Sequence, residues 1–449
     1  MNTKQKPSLT PDQKELILTI SGVSTDGRGI AKAEQKALFL ERCLPGDSVR
    51  AIPDWTQHPP TADVTEYVTL SPDRVPHPCP HAAECPACPF GNWDYQQQLA
   101  AKTDLVRRTL SKQIGDCDVQ DIIASPEPWH YRSRINLRLE ETDEHICVGY
   151  RQGPRENSTI PVSACKLAAQ EIDSCLGDLQ QLLSSYRGGT TDKLPVRIQL
   201  HSTSKGVGIM IVFPLRIHAS QRKFWRNWLT ELSLPGGIWF ATGNRAGALG
   251  AKTWIEPDQG AEPMLTSWLG TQLKIHPGSF CQANQSVAEL VCKRITVWSA
   301  RHNFRTVWDL YGGYGALGFA ASNKQSNVRI IESSKWSQPI ADALKTAARC
   351  RNMKFYAGDV LKEFKRLASE VKDDDLVILD PPSSGAHREV LELIVNSRTR
   401  KICYLSCNPA RLARDLAELT SDGFRITELQ PYDFFPQTAS IEVLALLSR

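Results

Sequence analysis

The chain has 449 residues, of which 41% are hydrophobic and 23% charged, so we expect a globular protein with two or three domains. Its first residues lack an apolar core and no apolar run approaches about 18 residues, which argues against a secretory signal and a membrane partner and predicts a cytoplasmic location. The net charge of +4 excludes bulk attraction to nucleic acid, and thirteen cysteines without a signal predict reduced thiols, metal ligands or catalysis rather than disulfides.

Residues 1–74 are predicted to form a small β-barrel. The stretches ELILTISGV and ADVTEYVTL are strand-like, and STDGRGIAK and CLPGDSV carry turn signals. Such a barrel can stabilise the chain without binding any ligand. Alternatively, it can bind RNA through basic side chains on a glycine-rich loop and the adjoining strands, with Arg28, Lys32 and Lys36 as candidates.

The segment that follows contains a cysteine triplet. Cys79, Cys85 and Cys88 stand among prolines with the spacing C-x5-C-x2-C. Zinc sites usually show two paired knuckles, whereas a triplet with one distant cysteine is more typical of a [4Fe–4S] cluster held by four thiolates. Cys165 is the favoured fourth ligand, and on sequence grounds alone its rivals are Cys117, Cys147 and Cys175.

A basic strand follows a helix that we predict over residues 94–113. Strand alternation in WHYRSRINLRLEETDEHICVGYRQ places Arg132, Arg134 and Arg138 on one face and apolar residues on the other. Aromatic residues such as Trp129 and Tyr150 lie nearby. Arginines hold phosphates and aromatic rings stack on bases, so this face suits single-stranded RNA. An ordinary solvated strand face is the alternative, within a mainly β or α/β middle domain over residues 75–262.

Residues 263–449 alternate strands and helices, the pattern of a Rossmann-like, doubly wound sheet. In VWDLYGGYGALGFAAS an apolar strand leads into glycines and a helix of small residues. Glu332 ends the second strand, where a carboxylate can accept from ribose hydroxyls, and Asp359 ends the third, where it can accept from an adenine amino group. Each acid alone is more readily a capping residue. Three strand ends with these groups, without a G-x-G-x-x-G phosphate motif, point to S-adenosylmethionine.

Two further strand ends complete the predicted crevice. Asp380 begins a DPP loop after the fourth strand, and Cys407 ends the fifth. Ligands of such sheets bind beyond the carboxyl ends of the strands, so these loops should meet there. Cys407 directly precedes a predicted helix, whose dipole would favour a thiolate, with Asn408 as the cap and Pro409 in the first turn. A small core cysteine is the alternative.

With these motifs together, the chain resembles the RNA uracil-C5 methyltransferases, in particular the iron–sulfur-containing branch that methylates bacterial 23S ribosomal RNA. STDGRGIAK…CLPGDSV is similar to the RNA-binding TRAM barrel of that family. The C-x5-C-x2-C triplet with a later Cys165 matches the four cluster ligands of the family. LSCNPARLARDL is close to the nucleophile signature and is the most specific of the shared motifs.

Three more stretches resemble family motifs for the cofactor and the general base. PGSFCQANQ resembles the stretch with a cofactor-contacting glutamine, here Gln282, and DLYGGYG resembles the first cofactor motif, which places Tyr311 and the nearby Ala316 at the cofactor. FFPQTASIEVLALL resembles the terminal motif whose glutamate, here Glu442, is the general base. The chain departs from the family pattern at four positions. Gly312 stands where the family usually has cysteine, and Ala316 where it often has asparagine. Ser383 stands where the family usually has arginine, and Ser440 where it commonly has histidine.

The resemblance implies that Cys407 adds to C6 of uracil, that C5 then takes the methyl group of S-adenosylmethionine, and that Glu442 removes the C5 proton. Asp380 would lie beside the methyl donor or the uracil base. The resemblance also implies a TRAM-like barrel over 1–74, a middle domain with the iron–sulfur cluster over 75–262 and a class I methyltransferase domain over 263–449. It favours ribosomal over transfer RNA, and we expect a monomer. The rival hypotheses are an exocyclic-amine methyltransferase, a non-catalytic RNA-binding or assembly protein, and a redox enzyme.

Overall fold

A computed structural model describes residues 14–141, 146–152, 158–186, 194–243, 254–258, 260–350 and 352–449. Over these ranges the chain is a mixed α/β protein whose strands form three separate sheets, in agreement with the α/β class that the sequence predicts. No helix within the described ranges is both long and apolar enough to span a bilayer.

The first sheet is mixed and six-stranded, with the order β1-β5-β6-β4-β3-β2. Apolar side chains from alternate strand positions, among them Leu18, Leu38 and Val49, fill its core. The predicted strand ELILTISGV is interrupted after Thr19, whereas ADVTEYVTL is continuous. The strands are β1 (Leu16–Thr19), β2 (Gly22–Val23), β3 (Gly29–Ala33), β4 (Lys36–Leu40), β5 (Ser48–Asp54) and β6 (Thr61–Thr69).

The second sheet has the order β13-β12-β11-β10-β7-β8-β9, and a hairpin of β14 and β15 joins it at β10. Helices α2 (Gln170–Ser185) and α3 (Ala219–Leu229) pack on it through a common apolar core. The strands are β7 (Arg134–Glu141), β8 (Ile146–Arg151), β9 (Thr159–Pro161), β10 (Arg197–Thr203), β11 (Gly206–Phe213), β12 (Ile238–Thr242), β13 (Ile255–Pro257), β14 (Met264–Trp268) and β15 (Thr271–Ile275).

The third sheet confirms the predicted doubly wound architecture. Its order is β18-β17-β16-β19-β20-β22-β21, and β22 alone among these strands runs antiparallel to its neighbours. Apolar cores cover both faces because the parallel strands are buried between helix layers. The strands are β16 (Thr306–Leu310), β17 (Asn327–Glu332), β18 (Asn352–Ala357), β19 (Leu376–Leu379), β20 (Lys401–Ser406), β21 (Arg425–Tyr432) and β22 (Glu442–Ser448).

The strand order reverses between β16 and β19, where neighbouring connections leave in opposite directions. A crevice opens at such a switch point beyond the carboxyl ends of the strands, and ligands of this fold class bind there. The helices around the sheet are α4 (Gln285–Ser299), α5 (Ala316–Ala321), α6 (Gln338–Ala347), α7 (Val360–Leu367), α8 (Arg388–Val395) and α9 (Pro409–Ser421).

Helix α1 (Tyr95–Ile114) matches the predicted helix but packs differently from the predicted domain division. Its apolar face, including Val106 and Leu110, shares the core of the third sheet with Leu412 and Leu416 of α9. The sequence assigns this helix to the middle segment, residues 75–262. Amphipathic spacing shows that a helix has a buried face but not which layer covers it, so only the packing reveals this association.

Candidate active site

The predicted site residues lie along one edge of the third sheet. Glu332 is the last residue of β17, Tyr311 follows β16, Asp380 follows β19 and Cys407 follows β20. These strands are adjacent and parallel, so their carboxyl ends meet at the same edge. The structure therefore brings together groups that are up to 96 residues apart in the sequence. They lie at the switch point where this fold binds ligands.

Cys407 and Glu442 are neighbours on adjacent strands. Ser406 of β20 pairs with Val443 of antiparallel β22, so the next residues along the two strands are Cys407 and Glu442. Glu442 is only 5% exposed, and its Oε2 has no hydrogen-bond partner among the described residues. Burial, and then Asp380, raise the pKa of Glu442 well above its ordinary value. A carboxyl group without a partner thus lies buried beside the thiol.

The structure corrects the expectation of a thiolate stabilised by the helix dipole. Burial, and then the carboxyl groups of Glu442 and Asp380, raise the pKa of Cys407 to about 11, so the thiol is protonated at neutral pH. Asn408 caps α9 as predicted, and its Oδ1 accepts from the backbone N–H groups of Ala410 and Arg411 at 3.1 and 3.2 Å. Since Asn408 occupies these donors and Cys407 lies outside the helix, the dipole does not outweigh burial and like charge.

Asn408 also joins the two loops of the crevice, because its Nδ2 donates to the Ser383 carbonyl of the DPP loop at 2.9 Å. We expect Asn408→Ala to lower stability by about 1 kcal/mol through loss of the cap, and to lower the methylation rate as well. Asn408→Asp retains the capping oxygen but loses the donor to Ser383. Thermal unfolding should therefore separate the two variants, while both lose methylation; full activity in Asn408→Asp would show that the tether is dispensable.

Glu332 fastens the glycine turn that follows β16. Its Oε2 accepts from the backbone N–H of Gly313 at 3.1 Å, and its Oε1 accepts from that of Ser334 at 2.7 Å. Gly313 and Gly315 have φ values of +54° and +85°, a region that glycine adopts at little cost. The acid predicted to hold the ribose therefore also orders the loop around the predicted cofactor site.

The other predicted cofactor residues are arranged around this turn. Asp359 is exposed and caps α7, accepting from Lys362 N–H at 3.0 Å, so its capping role is present as the sequence alternative proposed. The Tyr311 hydroxyl accepts from His387 N–H at 3.4 Å, and burial, with a smaller contribution from Asp359, raises its pKa. Gln282 is half-buried in the loop between β15 and α4.

The structure shows the surroundings of two positions at which the chain departs from the family pattern, Gly312 and Ala316. A Cβ atom on Gly312 would lie 2.7 Å from Cγ of Asp309, so the turn as folded has no space for a cysteine there. Ala316 is the first residue of α5, and its carbonyl accepts the indole N–H of Trp268 at 2.9 Å. Its side chain offers only a methyl group to a ligand.

Asp309 belongs to the site, and the sequence analysis did not select it. It is fully buried in β16, its Oδ2 accepts from Gly318 N–H at 2.9 Å, and its Oδ1 has no partner among the described residues. Burial, followed by Asp380 and Glu332, raises the pKa of this carboxyl well above its ordinary value. The available signal was an acid inside the otherwise apolar strand TVWDL, which is costly unless the residue has a specific role.

Asp380 makes folding stability depend on pH. Burial, and then Glu332, raise its pKa from 3.8 to about 7. The folded state thus holds this proton more tightly than the unfolded state, so the associated stability is complete below about pH 4 and is lost as the pH rises through about 7. We expect Asp380→Asn, which cannot ionise, to gain stability over the wild type by several degrees in Tm between about pH 5 and pH 8. A difference in Tm independent of pH would contradict this.

A family model described as tRNA (uracil-5-)-methyltransferase matches residues 94–449. The chain belongs to this family. An uncharacterized RNA methyltransferase of Thermosynechococcus vestitus is 28% identical over 96% of this chain and 97% of that protein. Another, of Halalkalibacterium halodurans, is 27% identical over 100% of this chain and 99% of that protein. The protein is therefore an S-adenosylmethionine-dependent RNA methyltransferase, which confirms the predicted enzyme class and argues against the redox and exocyclic-amine alternatives.

The fold is shared with a solved structure along nearly its whole length. Pyrococcus abyssi tRNA (uracil-54, C5)-methyltransferase, solved in complex with S-adenosyl-L-homocysteine, superposes with a TM-score of 0.71. The alignment covers 96% of this chain and 100% of that one, at 21% sequence identity. This likeness establishes the common architecture of the three sheets and says nothing by itself about which RNA this methyltransferase modifies.

The middle segment of this methyltransferase brings the predicted cysteine ligands near one another. Burial, and then Cys165, Cys85 and Cys79, raise the pKa of Cys88, and Cys165 also raises the pKa values of Cys79 and Cys85. The Cys165 Sγ accepts from the Tyr150 hydroxyl at 3.4 Å. Within the described residues, however, no group of three or more His, Cys, Asp or Glu side chains is positioned to hold a metal ion. The cluster thus stays a prediction.

The predicted basic face is divided between two environments. Arg132 lies before β7, so its expected place in the strand is wrong; it is half-buried, with its guanidinium 5.8 Å from the ring of Tyr131 and 5.9 Å from that of Phe435. Arg134 donates to the Ser279 carbonyl at 3.3 Å, and Arg138 pairs in register with Arg197. The intervening apolar residues of β7 are buried as predicted. Binding of RNA by these arginines stays a prediction.

Proposed function

We propose that this methyltransferase transfers a methyl group to C5 of a uridine in structured RNA, with Cys407 as the nucleophile and Glu442 as the base. The observation that carries the proposal is the proximity of these two groups: Ser406, which precedes Cys407, pairs with Val443, which follows Glu442, on adjacent antiparallel strands. After burial, the Glu442 carboxyl is the largest cause of the raised pKa of the Cys407 thiol. A half-buried thiol beside a buried carboxyl whose Oε2 has no partner among the described residues is costly for stability, and the cost is accounted for if both groups act on a bound base.

The chemistry of uracil explains why both residues are needed. C5 is a weak nucleophile until the sulfur of Cys407 adds to C6 and moves electron density onto C5. After C5 has been alkylated, Glu442 accepts the C5 proton; the C5–C6 double bond then re-forms as the C6–S bond breaks and the thiolate leaves. The target uridine must leave its base stack to reach the crevice, which costs a few kcal/mol and is cheapest in an RNA loop.

The charge state of the crevice sets a requirement on the first step. Cys407 must lose its proton, yet burial and two carboxyl groups raise its pKa to about 11. S-adenosylmethionine, when bound, supplies the methyl group and a positive sulfonium charge, which would oppose the effect of these carboxylates. The residues that we propose to hold it are those that the family resemblance implies, namely Gln282, Tyr311, Ala316, Glu332, Asp359 and Asp380. Tyr311 and Asp380 follow the two strands that flank the switch point, and Glu332 ends the next strand.

Resemblance to the iron–sulfur branch supports ribosomal RNA as the substrate, whereas the family is named for transfer RNA, which supports the alternative. Mass spectrometry of ribosomal and transfer RNA from cells that lack the protein tests both. We expect one 5-methyluridine to be lost from 23S ribosomal RNA. Loss from transfer RNA would overturn the substrate preference, and loss from neither would overturn the proposed reaction.

We further propose that Cys79, Cys85, Cys88 and Cys165 hold a [4Fe–4S] cluster that orders the RNA-facing surface of the middle segment. Burial raises the pKa values of Cys79, Cys85 and Cys88, and the neighbouring thiols of this group add to the rise, which fits a shared negatively charged site. The positive charge of Arg132 partly opposes the rise in the pKa of Cys88 and would balance part of that negative charge. The cluster has no redox role in the proposed mechanism. The cluster would connect the cysteine triplet to the residues that follow β9. Among the described contacts, that of His81 with Ser163 also links these two segments.

We expect Cys85→Ser to abolish the visible absorbance of the cluster and to weaken RNA binding before it slows the chemical step. Four thiolates are the complete ligand set of such a cluster, so loss of one prevents its assembly. Cys175→Ser is the matched control, because Cys175 is a half-buried thiol of α2 in the same segment. Normal RNA affinity in Cys85→Ser protein that lacks the absorbance would refute the ordering role.

The first sheet completes the proposal as a TRAM-like, RNA-binding barrel. Arg28 pairs with Asp26 at 2.7 Å and lies 4.8 Å from the ring of Phe39, while Lys36 lies 5.8 Å from the ring of Trp55. Cations held over aromatic rings are common in surfaces that bind single-stranded RNA. We retain the segments 1–74, 75–262 and 263–449 as proposed domains of a cytoplasmic monomer, with α1 packed on the last of them.

A further inference from the structure

A cleft with a volume of about 290 Å³ lies between the cysteine triplet, the start of α1 and the segment that leads to β22. It is separate from the crevice at the switch point. Its walls combine flat, rigid apolar rings with a carboxamide. The residues that form these walls and matter here are Pro76, Pro78, Trp93, Pro128, Trp129 and Gln437.

One polar group of the cleft has no partner. Trp93 is 4% exposed, and its indole N–H makes no hydrogen bond with the described residues. Most buried N–H groups in folded proteins are paired, so a buried donor that lines a cleft is accounted for if a ligand supplies the acceptor. This donor distinguishes the cleft from a purely apolar gap between segments.

The walls of the cleft are firmly held. The ring of His77 packs edge-on against Trp129 with centroids 5.7 Å apart, and a Cβ atom on Gly91 would lie 2.1 Å from the His77 ring, so only glycine fits there. Val75 N–H donates to the Asn92 carbonyl at 2.9 Å, which holds the two sides of the cleft together. Such a cleft can receive a flat ring without reorganising, which lowers the entropic cost of binding.

The surroundings favour a nucleotide over an uncharged ring. Arg42 is exposed and lies against the chain segment that follows Pro78 of the cleft wall, so a guanidinium is near the cleft. Its Nη1 donates to the Ala82 carbonyl at 2.8 Å, which fixes the side chain. An aromatic wall with a nearby arginine is the usual combination for stacking a base and holding its phosphate.

The cleft also contacts the segment that leads to Glu442, the proposed general base. Gln437 accepts from Gln98 Nε2 at 2.8 Å, and its own Nε2 donates to the Pro128 carbonyl at 3.2 Å. It has a φ of +67°, a conformation that non-glycine residues rarely adopt without such support. Glu442 follows five residues later. A ligand in the cleft would therefore touch a segment that must be ordered for Glu442 to stand beside Cys407.

We propose that this cleft binds an unstacked base of the RNA substrate, distinct from the methylated uridine, between Trp129 and the prolines, with Trp93 donating to an acceptor on the base edge. The proposal rests on RNA as the substrate and adds a second recognition site for it. Structured RNA that opens to present one uridine exposes neighbouring bases as well, and stacking them elsewhere on the protein offsets the cost of opening.

The test uses total RNA from cells that lack the protein, so it does not depend on which RNA class is modified. We expect two variants to raise KM by about fivefold or more while kcat changes by less than about twofold. They are Trp129→Ala and Trp93→Phe, the second of which removes the indole donor and keeps a smaller aromatic ring. Trp298→Ala, which alters a half-buried tryptophan of α4 away from the cleft, is the matched control. An unchanged KM in both folded cleft variants overturns the proposal.

Photocrosslinking with RNA that contains 4-thiouridine gives a second readout that needs no turnover. We expect adducts on peptides that contain Trp93 or Trp129, and adducts confined to other peptides would contradict the site even if a variant failed to fold. Wild-type protein that methylates none of this RNA would refute the proposed reaction, while the crosslinked peptides would still decide whether the cleft holds a base.

Discussion

Replacing Cys407 with alanine is expected to reduce methyl transfer by about four orders of magnitude or more, because no other group can add to C6 and activate C5. The thiol lies beside Glu442 at the end of β20, and burial, with the carboxyl groups of Glu442 and Asp380, raises its pKa to about 11. Transfer of a labelled methyl group to RNA from cells that lack the protein measures the loss.

The matched control is Cys117→Ala, which removes a half-buried thiol that packs beside the core of the third sheet, away from the crevice. It should retain wild-type activity. RNA with 5-fluorouridine at the target adds a direct test. A base cannot remove the C5 fluorine as it removes the C5 proton, so the adduct with Cys407 should persist. Undiminished methylation by Cys407→Ala would refute covalent catalysis at this position.

Glu442→Gln is expected to uncouple the two halves of the reaction. An amide cannot accept the C5 proton, whereas addition of Cys407 and alkylation of C5 do not require it, so a methylated covalent complex of enzyme and RNA should accumulate. Turnover should fall by about two to four orders of magnitude. Denaturing gel electrophoresis with a labelled methyl group would show the label migrating with the protein.

Glu442→Gln is also expected to change how the folding stability depends on pH. Burial raises the pKa of Glu442, so the wild type loses stability as this group ionises with rising pH, and the amide should not. Glu428→Gln in the neighbouring strand β21 is the control for loss of a carboxylate other than Glu442. It breaks one of the two contacts with Arg294 and should lower stability, but it should leave the pH dependence due to Glu442 in place. Release of free methylated RNA at the wild-type rate by Glu442→Gln would exclude it as the base.

Much of the third sheet could be predicted because its signals are local. Buried parallel strands appear as short apolar runs, and the rule that ligands lie beyond their carboxyl ends placed Glu332, Asp380 and Cys407 at one edge before any packing was known. The cap at Asn408 followed from residue type and position alone. Asp309 was missed because an acid within a strand resembles a simple break in the pattern.

The partnership of Cys407 with Glu442 depends on a topological feature. The last strand, β22, inserts antiparallel between β20 and β21, and this insertion alone places Glu442 next to the end of β20. Strand order within a sheet is set by long-range pairing that leaves no periodic trace in the sequence. For the same reason two contacts of α1 were not foreseen: its packing on α9, and the buried ion pair at 2.6 Å that joins its Lys102 to Asp433, the residue after β21.

The sequence by itself determined the kind of enzyme and the sheet that carries the predicted site residues, because motif identity and hydrophobic periodicity are properties of neighbouring residues. Only the tertiary structure decided their charge states and neighbours. Cys407 is a protonated thiol and not a dipole-stabilised thiolate, and Arg132 lies half-buried near the cysteine group and not on an open strand face. Burial and Coulomb interactions act through space, so they depend on groups that the chain brings together from distant positions.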